Sequence, residues 1–289
     1  MSHTIIRQVL VAFAVTTGAF AAPVTYGVST AQFIQSGLNG SVHTAEDFHY
    51  GGTTGTSSLA VDNITLFGNA NLATGVLRAQ NSGSVPGGYG GINASAYASF
   101  IDTITALGSI GGLNLGVSLT IDGSSSSSLP LTNDTYLRVQ IFAPGHLQAA
   151  IDGLIDYYDP AYLLWGTAFA LGTQSNPNPD LSGYGVTVAG HYLNGTIIVP
   201  LNIPYAAIGS NFEIQIALTS YQQGNAGVAQ SWNSDYSHTI GVALTGGSGI
   251  TLQSNSGVLP GTVSGVPEPS SLLLLSGGGL LLLVRRRRG

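Results

Sequence analysis

Residues able to do chemistry are sparse in this 289-residue chain, and they fall into a few clusters. The densest is His43-Thr44-Ala45-Glu46-Asp47-Phe48-His49, which puts two imidazoles and two carboxylates within seven residues. Imidazole with carboxylate suits zinc and similar ions. The spacing lacks the i, i+4 histidine pair of a helical zinc motif, so a solvated polar loop is the plainer expectation. Asp152, Asp156 and Asp159 offer oxygen ligands for calcium. They have neither the alternate spacing nor the distal glutamate of an EF-hand loop, and a helix or turn with acidic faces is expected there. No metal and no cofactor is assigned.

Glycoside hydrolysis needs two carboxyls about 5 Å or about 6.5–9.5 Å apart across the scissile bond. Glu46, Asp102 and Glu213 are the isolated candidates, and sequence spacing alone does not bring any two together. A G-x-S-x-G nucleophile elbow is absent, and Gly87-Gly88-Tyr89-Gly90-Gly91 reads as a turn rather than a phosphate loop. No catalytic residue is assigned. Sugar binding asks for flat aromatic faces beside amides and carboxylates. Trp232, in Gln230-Ser231-Trp232-Asn233-Ser234-Asp235-Tyr236, has such neighbours and is the carbohydrate-stacking candidate, with anchoring of its own loop as the alternative. Trp165, in Leu163-Leu164-Trp165-Gly166, is expected in the core.

Charge narrows the partners. Lysine and cysteine are missing altogether, and between the terminal segments only Arg78 and Arg138 stand against the chain's thirteen carboxylates. Nucleic-acid binding needs cations to displace phosphate counterions, so it is excluded. Without cysteine there is no disulfide framework or thiolate site, and stability must come from packing.

The two ends carry addresses. Arg7, the apolar Val9 to Ala19 and the small residues of Ala19-Phe20-Ala21 form a signal peptide over residues 1–21. At the other end stand Val266-Pro267-Glu268-Pro269, then Leu272 to Val284, then Arg285, Arg286, Arg287 and Arg288. The apolar run of 13 residues is about 20 Å long as a helix, against a hydrocarbon core of about 30 Å. Four arginines favour the cytoplasmic side, so the tail stalls there with the body outside. Pro267 and Pro269 keep the segment just outside the membrane extended and open to a protease.

This arrangement resembles the PEP-CTERM sorting signal of Gram-negative bacteria that make extracellular polysaccharide. The resemblance implies export by Sec-type machinery, cutting near Pro267-Glu268-Pro269 by a membrane-embedded exosortase, and delivery to the cell surface or extracellular matrix. The same motif also goes by the name of the ice-binding protein C-terminal domain, which describes the tail and not ice binding. Ala98-Ser99-Phe100-Ile101-Asp102-Thr103-Ile104, and Ser237-His238-Thr239 leading into Ser256-Gly257, are similar to stretches of PEP-CTERM ectodomains.

The elements between are strands and turns. Leu113, Leu115, Val117, Leu119 and Ile121 alternate with polar or small residues, as do Phe212, Ile214, Ile216 and Leu218, and Leu137, Val139 and Ile141. His238, Ile240, Val242 and Leu244 continue the pattern. A period of two marks half-buried strands. Asn194-Gly195 predicts the type I′ turn of a hairpin from Val186 to Leu201. His146 to Tyr158 is the one segment with helical spacing. The expected fold is all-β, a jelly-roll-like β-sandwich over residues 22–245, with a Gly/Ser-rich stalk at 246–265 and a sorting helix in 266–289. The expected function is a non-catalytic exported protein associated with exopolysaccharide, the alternative being an extracellular carbohydrate-active hydrolase.

Overall fold

The structure, a computed structural model, describes residues 26–36, 40–88, 90–108, 115–128, 132–143, 163–172, 186–189, 192–201, 211–226, 228–245 and 250–264. Every regular element in them is a strand. They are β1 (Tyr26–Ser36), β2 (Ser41–Tyr50), β3 (Thr54–Val61), β4 (Ile64–Asn71), β5 (Val76–Val85), β6 (Gly90–Gly108), β7 (Leu115–Ser127) and β8 (Thr132–Phe142). Next come β9 (Leu163–Gly172), β10 (Val186–Ala189), β11 (Tyr192–Leu201), β12 (Asn211–Ala226), β13 (Gln230–Thr245), β14 (Ile250–Ser254) and β15 (Val263–Ser264).

Two sheets face each other. In the second, the order β5-β13-β7-β11 runs through the middle; in the first, β6-β12-β8-β9 does. The chain crosses between the sheets at almost every step from β5 to β13, and these pairs are antiparallel. That weave is a jelly roll, a fold that closes two Greek keys over one core. Two additions widen it: β1 and β2 join the first sheet beside β6, while β4 and β3 join the second beside β5.

The alternation expected from sequence packs this interior. Ala94, Ala96, Ala98, Phe100 and Ile104 of β6 and Phe212, Ile214, Ile216 and Leu218 of β12 point inward and are buried. Val117, Leu119 and Ile121 of β7 and Leu137, Val139 and Ile141 of β8 do likewise. Each large aliphatic group so placed contributes about 1.5–3 kcal/mol.

Three expectations are corrected. The hairpin of β10 and β11 pairs Ala189 with Tyr192, so Asn194 and Gly195 lie inside β11, opposite Asp122 and Ile121. Pairing with β7 on the other edge fixes that register and overrides the local turn preference. Strand β13 does not alternate simply through His238, because its register shifts between Tyr236 and Ile240. Finally, residues 250–264 are not a stalk. Leu252 and Leu259 are buried in the core, β14 pairs with β6, and β15 pairs in parallel with β14. The helical spacing at His146 to Tyr158, the signal peptide and the sorting segment lie outside the described residues.

β1 and β14 share one edge of β6 and meet about two-thirds of the way along it. Tyr26 opens β1 opposite Asp102, and Ser254 closes β14 opposite Ile104. In the gap, Asn255 donates its N–H to the Thr103 carbonyl at 3.0 Å. The Asp102 carboxylate accepts the Ser256 N–H at 3.2 Å and the Ser256 hydroxyl at 2.5 Å. Asp102 is fully buried. Desolvation raises its pKa from the ordinary 3.8 to about 6, against the hydrogen bonds from Ser256, Ser254 and Thr103 that favour the charged form.

Between those two values the folded state holds a proton that the unfolded chain has released, so stability is full below about pH 4 and falls as the pH rises through 6. The loss expected from a shift of this size is on the order of 3 kcal/mol. Urea unfolding from pH 4 to pH 7 should show that fall in the native protein and lose most of it in Asp102→Asn. An equal pH slope in the two proteins would place the titration elsewhere.

Candidate functional site

Period-two geometry splits the His43–His49 cluster across the two faces of β2. His43, Asp47 and His49 face the sandwich, and Glu46 faces outward. Asp47 accepts the Thr56 N–H at 2.7 Å through one oxygen and holds His49 Nε2 at 2.6 Å through the other. Its carboxylate therefore pins edge strand β3 to edge strand β2. Among the described residues no three histidines or carboxylates converge as a metal site would require. Asp152, Asp156 and Asp159 lie outside those residues.

The three hydrolase candidates diverge. Asp102 pairs with Ile214 and points into the core, whereas Glu213 pairs with Thr103 and points out from the opposite face, where it too is buried. Glu46 lies three strands and six residue steps from Glu213, more than about 20 Å at sheet spacings. One other pair does share a face. Asp122 of β7 and Asp235 of β13 both point outward from the second sheet, on either side of the β13 register shift. They sit at diagonal positions, roughly 7–8 Å apart. Their sheet neighbours are small hydroxyl residues, Thr120 and Ser124.

Trp232 is not a loop residue, which corrects the stacking assignment. It lies in β13 with 4% of its surface exposed. Its indole N–H donates to Asn81 Oδ1 at 2.8 Å, and its ring fills the space where Gly83 has no Cβ. Neither ring face is open to a sugar. The Asn81 amide in turn donates to the carbonyls of Ala94 at 3.0 Å and Ser220 at 3.3 Å, both in the opposite sheet. A single side chain thus ties β5 to β6 and β12 and orients the tryptophan. Trp165 falls in β9, opposite Ile141.

An aromatic surface does exist, on the outer face of the first sheet. β1 presents only Gly27, Ser29 and Ala31 there before Phe33. On one side of it β2 raises Tyr50, Phe48 and Glu46; on the other β6 raises Ile101, Ser99 and Tyr97. Small residues between two rows make a shallow trough along β1, about 9.5 Å between flanking strands; its Ala31–Phe33 end is part-exposed, while Gly27, Ser29, Ser99 and Ile101 are buried. Phe48 and Tyr50 are 41% and 45% exposed. At the floor the Ser29 and Ser99 hydroxyls share a hydrogen bond of 2.8 Å, and at the wall Tyr97 accepts one from the Gln215 amide at 3.2 Å. Gly27 is required, since a Cβ there would sit 2.7 Å from the His49 carbonyl oxygen. The sequence held one signal for this trough, the outward series Val42, Thr44, Glu46, Phe48, Tyr50. It was hidden by the ionisable residues interleaved with it.

Asn81→Ala should leave the Trp232 N–H and two interstrand carbonyls unpaired in the core. It should cost about 2–4 kcal/mol, seen as a lower urea midpoint at unchanged slope together with altered tryptophan emission. A loss below about 0.5 kcal/mol would show that the tie is not needed.

The comparisons with known proteins bear on the chain's end rather than on the trough. No curated protein matches the chain. Among solved structures, that of the infectious bursal disease virus Gx strain is similar at 10% identity over 93% of this chain and 70% of that one. Its TM-score of 0.16 carries no argument about fold or function. The family model of the PEP-CTERM protein-sorting motif matches residues 265–288, which include Val266, Pro267, Glu268, Pro269 and Arg285 to Arg288. That segment lies outside the described residues, among which no helix is long and apolar enough to cross a membrane. The tail therefore carries the PEP-CTERM sorting motif, which supports export, transient holding at the membrane by the C-terminus and processing by an exosortase on the way to the surface.

Proposed function

We propose that the jelly roll is a non-catalytic surface or matrix module that associates with exopolysaccharide, lodging an uncharged glycan strand in the trough along β1. The observation carrying this reading is the pair of half-exposed rings, Phe48 and Tyr50, on β2 beside the small residues of β1, of which Ala31 is part-exposed. Aromatic faces suit the apolar side of a sugar ring, and the exposed Glu46 carboxylate suits its hydroxyl groups. An uncharged glycan is favoured because, among the described residues lining the trough, Glu46 is the only ionisable side chain apart from tyrosine, and it repels acidic sugars. Export itself is assigned to Sec-type machinery acting on the N-terminal signal. The non-catalytic reading draws support from the divergence of Glu46, Asp102 and Glu213. A hydrolase would have to use a pair such as Asp122 and Asp235 on the open second sheet.

Native host exopolysaccharide in an affinity gel should retard the purified protein. Phe48→Ala with Tyr50→Ala, or Ala31→Phe filling the trough, should weaken retention at least tenfold without changing the circular dichroism. That is a loss of about 1.4 kcal/mol or more. Asp122→Asn with Asp235→Asn should leave retention unchanged, and no reducing ends should appear. Full retention by Ala31→Phe would remove the trough from the reading, and release of reducing ends that stops in the aspartate double variant would favour the hydrolase.

Processing gives a second expectation. Intact mass of protein from the native host should end near Pro267 to Pro269 and lack Leu272 to Gly289. Replacing Glu268 or both prolines should leave full-length chain in the membrane, whereas replacing Arg285 to Arg288 with serine should let uncut chain slip through. A mature C-terminus at Gly289 would indicate a plain anchor.

A further inference from the structure

We infer that the outer face of the second sheet carries a second sugar site, built by Phe67, Asn69, Arg78 and Gln80, so that one molecule bridges two glycan strands. The bridging rests on the trough proposed above, whereas the site itself does not. Ile64, Leu66 and Ala70 of β4 and Leu77 and Ala79 of β5 are buried in the core. Period two therefore turns the residues between them outward. Pairing sets Phe67 opposite Gln80 and Asn69 opposite Arg78. Their backbones mark the corners of a patch about 4.8 Å by about 6.7 Å, which the side chains widen to the footprint of a sugar ring.

The chemistry of the patch suits a sugar. An aromatic ring offers its face to the apolar side of the pyranose, and amides with a guanidinium serve the hydroxyls. Phe67, Asn69, Arg78 and Gln80 are all part-exposed. Asn69 is held in place by its amide nitrogen, which donates to the Gly55 carbonyl at 3.2 Å and the Thr56 hydroxyl at 2.7 Å. Arg78 supplies an independent observation. Its Nε is buried, and among the described residues no group accepts its hydrogen. A buried donor is costly to leave unpaired, and a sugar oxygen laid on the patch is an acceptor within its reach. β13 does not provide one in the ordinary way, because the ladder is interrupted beside Arg78. Tyr236 pairs with Ala79, and the next pair is Ile240 with Leu77. Such irregularities re-aim side chains and are frequent next to binding sites.

The charges around Arg78 set the class of sugar. Asp235 of β13 lies opposite Gln80 and diagonal to Arg78, and Asp122 lies one strand further, on β7. The outward residues of β3 and β4 carry no charge. Asp235 repels an acidic sugar, whereas a neutral one can take Arg78 as donor and Asp235 as acceptor for neighbouring hydroxyls. Both sites thus suit the same uncharged polymer. They also face opposite ways. A Cβ at Gly68, next to Phe67, would sit 2.6 Å from the Tyr97 carbonyl oxygen and 3.4 Å from Thr30, between Ser29 and Ala31 of the trough. Patch and trough therefore stand back to back across sheets about 10 Å apart.

A two-layer capture assay tests this. Exopolysaccharide from the native host would be fixed sparsely on a sensor surface and loaded with mature protein from that host. The same polysaccharide, fluorescently labelled, would then be passed over. The native protein should capture a labelled layer. Phe67→Ala with Arg78→Gln should load within about twofold of the native protein, through its trough, yet capture at least tenfold less label at unchanged circular dichroism. Gln80→Ala, a milder change, should lose label at least threefold. Capture at the native level by these variants would overturn the site, and native protein that loads but captures no label would overturn the bridge. Ala31→Phe separates this proposal from the trough reading. If it loads as the native protein does while Phe67→Ala with Arg78→Gln no longer loads, the trough reading and the bridge fall and the patch is upheld as a sugar site on its own.

Discussion

The hydrogen-bonding edge of β6 that faces β1 is the constraint around which the molecule is organised. One strand of ordinary length could not serve two partners on one edge; β6, at 19 residues, takes β1 along its first part and β14 along its last. Where the two partners abut, backbone pairing has to be interrupted, and the polar groups left over must be satisfied without water. Asp102 and Thr103 supply the acceptors. A carboxylate under the sheet is costly there, as its raised proton affinity records, yet only an acceptor of that reach meets both the N–H and the hydroxyl of Ser256. The first and last strands of the domain are thereby locked to one another through a third.

Low charge shapes the rest. With no lysine and two arginines in the body, ion pairs cannot be spread across the surface, and the His49–Asp47 contact serves to join two edge strands. Hydroxyls and amides take over inside. Ser57 bonds to Thr30 at 2.7 Å and accepts from Gln32 at 3.1 Å across the sheets, and Thr135 meets Ser234 at 2.8 Å. Such contacts individually contribute about 1 kcal/mol. They nevertheless fix which strand faces which, because a register slip of one residue would leave every one of them unpaired. The edges are defended in a similar economical way: β2 and β3, which end their respective sheets, are bound to each other through Asp47 and Thr56 rather than left open to another chain.

Much of this was legible from residue order alone. The alternation in β7, β8 and β12 gave the core face of each strand, and turn-rich, helix-poor composition gave the sandwich. The sorting motif was readable because its physics is local: prolines, apolar run and arginines act in sequence. What stayed hidden depended on partners far along the chain. Asn194-Gly195 is a strong local turn signal that β7 overrules; Trp232 looks like a loop residue until Asn81 and Gly83 are seen beneath it, about 150 residues earlier. Glycine and serine at 246–265 suggested a flexible stalk, but Leu252 and Leu259 suffice to bury the arm. The trough could not be anticipated, since its floor and its two walls come from three strands and only pairing registers bring Ser29, Phe48 and Tyr97 side by side.

The buried Leu259 has a consequence for the order of events during export. Chains cross the membrane N-terminus first, so the segment that closes the core is among the last of the body to emerge. Until residues 250–259 are outside, β6 lacks β14, Asp102 lacks Ser256 and the space between the sheets lacks its stopper. The precursor therefore matures as a fold only when the sorting motif, beginning six residues later, is itself arriving at the outer surface. Completion of the domain and presentation of the cutting site are timed to one another by sequence position alone.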